Sequence, residues 1–413
     1  MKGVFVVLDG VADEPLQVLG QKTPLEAAKT PNLDFLAIKG RMDSCNISKS
    51  GVIPQSSGAV VSLFGHDPNF APRGPLEAMG SGMKITRGDL CFRANFATVD
   101  DLETRDVLDR RAGRTLSTRD AQVLARAINK GVKLPFPFEF KPTLHHRGVL
   151  VIKGGFSDNI TDVDPDYGPN SGHGNKKFSF ARSLDEEDDS AMSAEIVNNF
   201  LRQSHKILSE HPLNRSRASK GLYAANFILL RGAGSEPVKL KKPRGKWRAF
   251  AYTPLEIGVA KSLKMDISSF GYPKMKSIDM YENLEAGLRK AMKLAIKMLR
   301  KNRKKYDYFY IHFKETDFPG LDNKPHEKVK MIEMLDKRFF SFLKGFVQKN
   351  KCNLVVTSDY ISSSRMKSHI GGPVPVLTFP DEKEKKKRFN EEFASKGRKF
   401  TGKNLLEKTL FAR

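Results

Sequence analysis

Three segments of the chain share one pattern, a run of mostly β-branched and aromatic residues that leads into an aspartate. Runs that are apolar at successive rather than alternate positions are typical of strands covered on both faces, as in a parallel sheet with helices on either side. We therefore predict three strands of one parallel sheet. The runs and the carboxylates that follow them are 2–8 with Asp9, 306–313 with Asp317, and 354–356 with Asp359.

Two long segments between these runs have the spacing of amphipathic helices. Residues 280–303 and 327–347 place apolar side chains on one face and lysines on the other. Core packing explains the methionines and phenylalanines of the apolar faces. This alternation of strands and helices predicts a doubly wound α/β core.

The three aspartates are expected to converge. In open parallel α/β sheets, ligands bind in the crevice beyond the carboxyl ends of the strands. Carboxylates crowded at that edge repel one another unless a positive charge lies between them. The pattern therefore predicts a divalent cation at this edge of the sheet.

Two polar turns fit the same edge. Ser56 and Ser57 precede an apolar helical stretch, where the N–H groups of a helix N-terminus would favour a phosphate. The alternative is that one serine only caps the helix. His369 lies in a polar turn ahead of a fourth short strand, and we expect it to ligate the cation rather than to be a structural histidine.

Length and composition limit the class of protein. A chain of 413 residues predicts two domains, or one domain with a large insertion. No apolar stretch reaches the roughly 18 residues of a membrane span. Cys45, Cys91 and Cys352 show no CxxC pairing, so we expect free thiols in a reducing compartment. With no signal-peptide pattern at Met1, the expected location is the cytoplasm.

Lysine and arginine exceed aspartate and glutamate by 24. Such a balance can indicate nucleic-acid binding. The basic residues are spread along the chain, however, and no RNA-binding signature accompanies them. We therefore favour a solvated basic surface, or a field for an anionic substrate, over a specific nucleic-acid partner.

Taken together, these residues resemble a known family, the archaeal-type cofactor-independent phosphoglycerate mutases of the alkaline-phosphatase superfamily. The likeness extends through most of the chain. The segments that carry it are VLDGVADEP (7–15), TPLEAAKTPNLDFLA (23–37), LFGHDP (63–68), RGPLEAMGSGM (73–83), FRANFATVDD (92–101), DRRAGR (109–114), HRGVLVIKG (146–154), ANFILLRGAG (225–234), KETDFPG (314–320) and GGPVPV (371–376).

The resemblance implies a glycolytic isomerase with a phosphatase-like core that holds two metal ions, usually manganese or magnesium. It implies that Ser56 takes the phosphate from 3-phosphoglycerate and returns it to the other hydroxyl of glycerate. Asp9 and Asp359 would hold one ion with Ser56, and Asp317 and His369 would hold the other. Arginines would bind the carboxylate and phosphate of the substrate. By position in the family's blocks these are Arg93, Arg110, Arg111, Arg114 and Arg231.

The chain also departs from the family's pattern at the metal ligands. Leu321 and Tyr360 stand where the family has ligand histidines, and Ile257 replaces a lysine. The turn at 54–60 lacks the family's aspartate after the serine and its downstream histidine. Each metal position thus keeps carboxylates and loses an imidazole. Carboxylates and waters suit Mg²⁺ or Ca²⁺ better than Mn²⁺ or Zn²⁺, and we expect weak binding of the metal.

Two functions remain open from the sequence. One is a phosphoglycerate mutase with an altered metal site. The other is a catalytically degenerate member of the family that binds an anionic ligand, a protein or RNA. The expected domains are a metal-binding core at 1–76 and 251–413 and an inserted α/β substrate-binding domain at 77–250, with an exposed loop at 167–178. The oligomeric state is left undetermined.

Overall fold

The computed structural model describes residues 1–47, 56–164, 177–275, 279–381 and 387–412. Most of the loop predicted at 167–178, and the first residues of the turn at 54–60, lie outside these ranges. None of the helices in the described ranges is both long and apolar enough to cross a membrane.

The strands form one large and one smaller sheet, with a separate two-stranded ribbon of β12 and β13. They are β1 (Gly3–Leu8), β2 (Arg41–Asn46), β3 (Leu90–Val99), β4 (Val107–Asp109), β5 (Phe138–Pro142), β6 (Arg147–Ile152), β7 (Phe227–Gly234), β8 (Trp247–Phe250), β9 (Asp266–Ser268), β10 (Tyr308–Phe313), β11 (Asn353–Thr357), β12 (Ile361–Ser363), β13 (Ser368–Ile370), β14 (Pro373–Phe379) and β15 (Lys399–Thr401).

Helices cover the faces of both sheets. They are α1 (Pro24–Ala27), α2 (Pro31–Ile38), α3 (Ser56–Leu63), α4 (Arg73–Gly80), α5 (Thr118–Gly131), α6 (Asp188–Ser209), α7 (Pro212–Ser219), α8 (Pro254–Ser262), α9 (Met280–Asn302), α10 (Asp317–Leu321), α11 (Pro325–Leu335), α12 (Ser341–Asn350), α13 (Glu391–Ser395) and α14 (Gly402–Lys408).

The large sheet has eight described strands in the order β15-β2-β14-β11-β1-β10-β8-β9. The three predicted strands are its centre, because β1 pairs in parallel with β10 on one side and with β11 on the other. Of the other strands, β14 runs antiparallel to both of its neighbours. The predicted fold class, a doubly wound α/β core, is confirmed.

Both faces of the large sheet are buried, as the continuous apolar runs require. Alternate residues of β1 enter different cores. Val4 and Val6 pack in the core that includes residues of α9, α11 and α12. Phe5 and Val7 pack on the opposite face, in the core that includes residues of α3, α8 and α14.

The predicted helix at 327–347 is divided in two. A π-helical turn at Asp336–Phe340 separates α11 from α12. Asp336 is buried there and accepts hydrogen bonds from the backbone N–H groups of Asn32 and Leu33 at the start of α2. The turn thus lets one carboxylate satisfy the orphan donors of a neighbouring helix N-terminus.

The smaller sheet contains β3 to β7 and has its own core. In it β3 pairs antiparallel with β4, β6 and β7. One face of this sheet packs against α5 and α6 through residues such as Phe92, Leu124 and Phe200. This sheet falls within the proposed inserted domain at 77–250.

Helices α4 and α8 join the two sheets through a close crossing. A Cβ on Gly80 would lie 1.7 Å from the carbonyl oxygen of Pro254, and a Cβ on Gly258 would lie 1.9 Å from that of Leu76. Only glycine therefore permits this approach. The crossing places α4, which also packs on β3, beside the carboxyl edge of the large sheet.

Candidate active site

Asp9 and Asp359 lie together at the carboxyl edge of the large sheet. Asp9 directly follows β1, and Asp359 lies two residues after the end of β11. These two strands are adjacent in the sheet. Both side chains are fully buried. The backbone N–H of Gly10 donates to Asp359 Oδ1 at 3.0 Å, which fixes one carboxylate against the turn that carries the other.

Two residues of this edge were missed by the sequence analysis, His312 and Lys314. They occupy alternate positions at and just beyond the end of β10, so their side chains point to the same face of the sheet. His312 Nε2 lies 3.8 Å from Asp9 Oδ2 and 3.7 Å from Asp359 Oδ2. The sequence signal that could have identified these two residues is the presence of polar side chains at alternate positions of an otherwise apolar strand.

Lys314 supplies a buried positive charge at this point. Its ammonium is ion-paired with Asp9 Oδ2 and lies 2.9 Å from Glu256 Oε1. Burial lowers the pKa of Lys314 and raises that of Glu256. The hydroxyl of Thr253 donates to the other oxygen of Glu256.

Asp317 and His369, predicted to share a metal, contact each other directly. His369 Nε2 lies 3.0 Å from Asp317 Oδ1. Burial alone would raise the pKa of Asp317, but His369 and Lys314 hold it below its ordinary value. The ring of Tyr360 packs on that of His369 with their centroids 3.8 Å apart.

Ser56 is the first residue of α3 and is 8% exposed. Its hydroxyl oxygen accepts a hydrogen bond from Arg73 Nη1 at 3.4 Å, and a side-chain hydrogen bond joins it to Tyr360. Burial raises the pKa of Tyr360 well above its ordinary value, so the tyrosine is a neutral phenol. The helix N-terminus and the guanidinium both favour negative charge beside this serine.

The smaller sheet presents arginines toward the serine. Arg93 on β3 is directly opposite Arg231 on β7, and Asn95 is opposite Arg147 on β6. Arg93 and Asn95 share one face of β3, since side chains two apart point the same way. Arg93 Nη2 donates to Asn95 Oδ1 at 2.8 Å.

Glu77 on α4 anchors two of these guanidinium groups. It accepts from Arg73 Nε at 2.6 Å and from Arg93 Nη1 at 2.7 Å. Burial alone would raise the pKa of Glu77, but Arg93 and Arg73 lower it to about 2. The carboxylate therefore remains ionised and holds both arginines at the wall of the cleft.

The five arginines expected to bind substrate separate into two groups. Arg93, Arg111 and Arg231 line the cleft together with Ser56, Asp317, His369, Leu321 and Tyr360. Arg110 and Arg114 are not among its lining residues. Arg110 is ion-paired with Asp164, and Arg114 Nη2 lies 2.5 Å from Asp322 Oδ1.

The charge of the cleft defines the kind of ligand that it suits. Among the described lining residues, six are cationic and three are carboxylates. The excess of positive charge favours a small anion. The cationic residues are Arg73, Arg93, Arg111, Arg147, Arg231 and Lys314, and the acidic ones are Glu77, Glu256 and Asp317.

Fold and site thus define an α/β protein with a cation-rich cleft between a core that places a serine at a helix N-terminus and a second sheet that carries arginines. Comparison with known proteins gives the family. Residues 37–214 match the family model described as 2,3-bisphosphoglycerate-independent phosphoglycerate mutase. The chain is 36% identical over 385 residues to the protein of that name from Pyrococcus furiosus, covering 91% of this chain and 87% of the relative.

Other relatives agree with this match. The Pyrococcus horikoshii protein of the same name is 36% identical over 407 residues, covering 96% of this chain and 92% of the relative. The solved structure of the cofactor-independent phosphoglycerate mutase from Thermoplasma acidophilum has a TM-score of 0.56 and 28% identity, covering 100% of this chain and 99% of that one. A Pyrococcus horikoshii structure has a TM-score of 0.72 and 26% identity, covering 99% and 96%. The chain belongs to the 2,3-bisphosphoglycerate-independent phosphoglycerate mutase family.

Proposed function

We propose that this chain interconverts 3-phosphoglycerate and 2-phosphoglycerate through a phosphoserine at Ser56. The observation that carries the proposal is the position of Ser56, at a helix N-terminus and hydrogen-bonded to Arg73 in a cleft with an excess of cations. The relatives reported above are named as mutases, and none of them supports the alternative of a chain without activity.

In the first half of the reaction, Ser56 Oγ forms a bond to phosphorus as the bond from phosphorus to the glycerate oxygen breaks. The serine hydroxyl loses one proton and the glycerate oxygen gains one, so the step is balanced in protons. The second half reverses these bonds with the other hydroxyl. Since the glycerate must turn without leaving, its carboxylate needs a separate anchor, and Arg93, Arg111 and Arg231 are proposed for that role.

The carboxyl edge fits the divalent metal that the family resemblance implies. Asp9 and Asp359 are buried side by side, and Asp9 Oδ1 and Asp359 Oδ2 have no hydrogen-bond partner among the described residues. When bound there, a divalent ion would lower the pKa of the serine hydroxyl and stabilise charge on the phosphoryl oxygens.

A coupled mutase assay with Mn²⁺, Mg²⁺ or Co²⁺ tests the function. We expect turnover, and we expect Ser56→Ala to abolish it together with the phosphoenzyme detected by intact mass. Ser57→Ala is the matched control, because Ser57 is the next residue of the same helix. Absence of turnover with every ion would contradict the proposal and favour the degenerate, ligand-binding alternative.

A further inference from the structure

The two metal positions implied by the family are not equivalent in this chain. At the first, one ligand atom each from Asp9, His312 and Asp359 lie within 4.8 Å of one another, and all three residues are buried. Neighbouring donor atoms on a tetrahedral ion, with bonds of about 2.1 Å, are about 3.4 Å apart. His312 Nε2 lies 3.8 Å from Asp9 Oδ2 and 3.7 Å from Asp359 Oδ2, so a small contraction would bring the imidazole and each carboxylate to the spacing of metal ligands.

His312 is held ready to ligate. Its Nδ1 lies 2.6 Å from the buried hydroxyl of Tyr310, whereas its Nε2 has no hydrogen-bond partner among the described residues. With Nδ1 protonated and donating to the Tyr310 oxygen, Nε2 presents its lone pair toward the two carboxylates. A hydrogen bond from the second ring nitrogen is the usual support of a metal-bound histidine.

The second position is closed by the chain's own side chains. Asp317 and His369 satisfy each other at 3.0 Å, and Tyr360 covers the imidazole ring. Leu321 faces the same cleft and offers no donor atom. An ion here would have to break the part-buried Asp317–His369 pair and find its remaining ligands elsewhere.

We propose that the chain holds one divalent cation, between Asp9, Asp359 and His312, and that the Asp317–His369 pair replaces a second ion. The catalytic use of the ion rests on the proposed function, whereas its binding does not. An imidazole ligand favours Mn²⁺, Co²⁺ or Zn²⁺ over Mg²⁺. Lys314 competes with the ion for Asp9, because its ammonium is already paired with that carboxylate.

Calorimetric and spectroscopic titration of the full chain with Co²⁺ tests this assignment apart from activity. We expect one Co²⁺ per chain, a visible absorption band that changes in His312→Ala, and at least a ~10-fold loss of affinity in that variant. His369→Ala is the matched control and should keep the stoichiometry and the band. Lys314→Met should bind Co²⁺ more tightly, since it removes the competing charge.

Two ions per chain, or an unchanged band and affinity in His312→Ala, would overturn the assignment. Should that variant fail to fold, the unchanged chain still decides, because its Mn²⁺ complex should show coupling to one imidazole nitrogen by pulsed EPR. Absence of that coupling would also overturn it. A chain that binds one Co²⁺ as described but shows no mutase turnover would contradict the proposed function and leave this inference standing.

A second inference comes from the opposite edge of the large sheet. Strands β1, β8, β10 and β11 are parallel neighbours, so all four begin at the same edge. The segments that lead into them contain 13 exposed Lys and Arg side chains, at Lys2 and within 239–246, 300–305 and 349–351. Asp266 and Asp307 are the nearby acids at the starts of strands. Basic runs that are far apart in sequence thus form one surface, which we call the amino-edge surface.

We propose that the amino-edge surface binds a nucleic-acid backbone without reading its bases. Four strands at about 4.8 Å spacing carry the charges over about 15 Å, which suits several successive phosphates. None of the exposed large apolar side chains of the described residues lies in these segments. The absence of such anchors from this surface disfavours a membrane, which would need apolar insertion, and it also disfavours stacking on bases.

Fluorescence anisotropy with labelled duplex RNA at several salt concentrations tests this surface. We expect log K to fall with log salt at a slope steeper than about −4, and glutamine at four basic positions of 300–305 to reduce the slope by about 2 or more. Glutamine at Lys130, Lys133, Arg202 and Lys206, in the smaller sheet's helices and adjoining loop, is the control of equal charge. Equal loss in both variants, or binding only to anionic vesicles, would overturn the proposal.

Discussion

The replacement of Glu77 by glutamine tests how the two halves of the cleft are held together. Glu77 is 1% exposed and receives one guanidinium from α4 and one from β3. The arginines lower its pKa from the ordinary 4.5 to about 2, which corresponds to about 3 kcal/mol of stability for the ionised form at neutral pH. Because glutamine leaves Arg93 buried without a countercharge, we expect Glu77→Gln to cost about 3–5 kcal/mol at pH 7.

The pH dependence distinguishes this ion pair from simple packing. A carboxylate whose folded pKa is depressed stabilises the fold above its unfolded pKa, and that stability is lost as the pH falls from 4.5 toward 2. The stabilities of the two proteins, measured by urea unfolding, should therefore converge as the pH falls toward 2. A difference at pH 7 below about 1 kcal/mol, or one that is equal at pH 7 and pH 2.5, would refute this reasoning.

An exposed pair provides the control for that experiment. Glu392 forms a surface ion pair with Lys396, and its side chain is 55% exposed. Glu392→Gln should change stability by less than about 0.5 kcal/mol. Glu77→Gln should also raise the KM for phosphoglycerate, since Arg73 and Arg93 lose the group that positions them.

Three further outcomes are expected. Gly258→Ala should destabilise the protein by at least about 1–3 kcal/mol in thermal unfolding, because its Cβ would overlap the Leu76 carbonyl; retention of the wild-type Tm would contradict the close crossing. Burial raises the pKa of Glu391 from 4.5 to about 7, so the free energy of unfolding should fall as the pH rises from 4.5 through 7. Glu391→Gln should remove up to about 3 kcal/mol of that fall. Equal pH profiles of unfolding for the two proteins from pH 5 to 8 would contradict this role of Glu391. The double variant Leu321→His with Tyr360→His should raise Co²⁺ binding from one to two ions per chain, as measured by calorimetry. A stoichiometry that stays at one ion would contradict the assignment of Asp317 and His369 as the pair that closes the second position.

The central strands could be predicted because they are buried on both faces. Predicted runs at 2–8, 306–313 and 354–356 became β1, β10 and β11 with ends that differ by at most two residues. Covered parallel strands need apolar residues at every position, which makes the signal independent of register. The convergence of Asp9 and Asp359 followed from strand direction alone.

The rest of the site depends on register and on helix crossing, which a single sequence does not show. His312 lies within a run that was interpreted as a strand core, and its role depends on the proximity of two carboxylates from other strands. Arg147 reaches the cleft because it pairs opposite Asn95, a relation set by antiparallel register. Arg73 and Glu77 reach it only because two glycines let α4 cross α8.

The tyrosine at position 360 can be understood from the same contacts. A neutral phenol is a poor metal ligand, but its ring packs on His369 and its hydroxyl is hydrogen-bonded to Ser56. On the proposed function, Tyr360 would orient the serine hydroxyl, and its ring covers the imidazole that would bind a second ion. In a centre with one ion, the charge of a transferring phosphoryl group has to be balanced by side chains, and the cleft provides an excess of guanidinium groups for that purpose. On this proposal, the guanidinium groups that bind the substrate also balance charge that a second ion would otherwise balance.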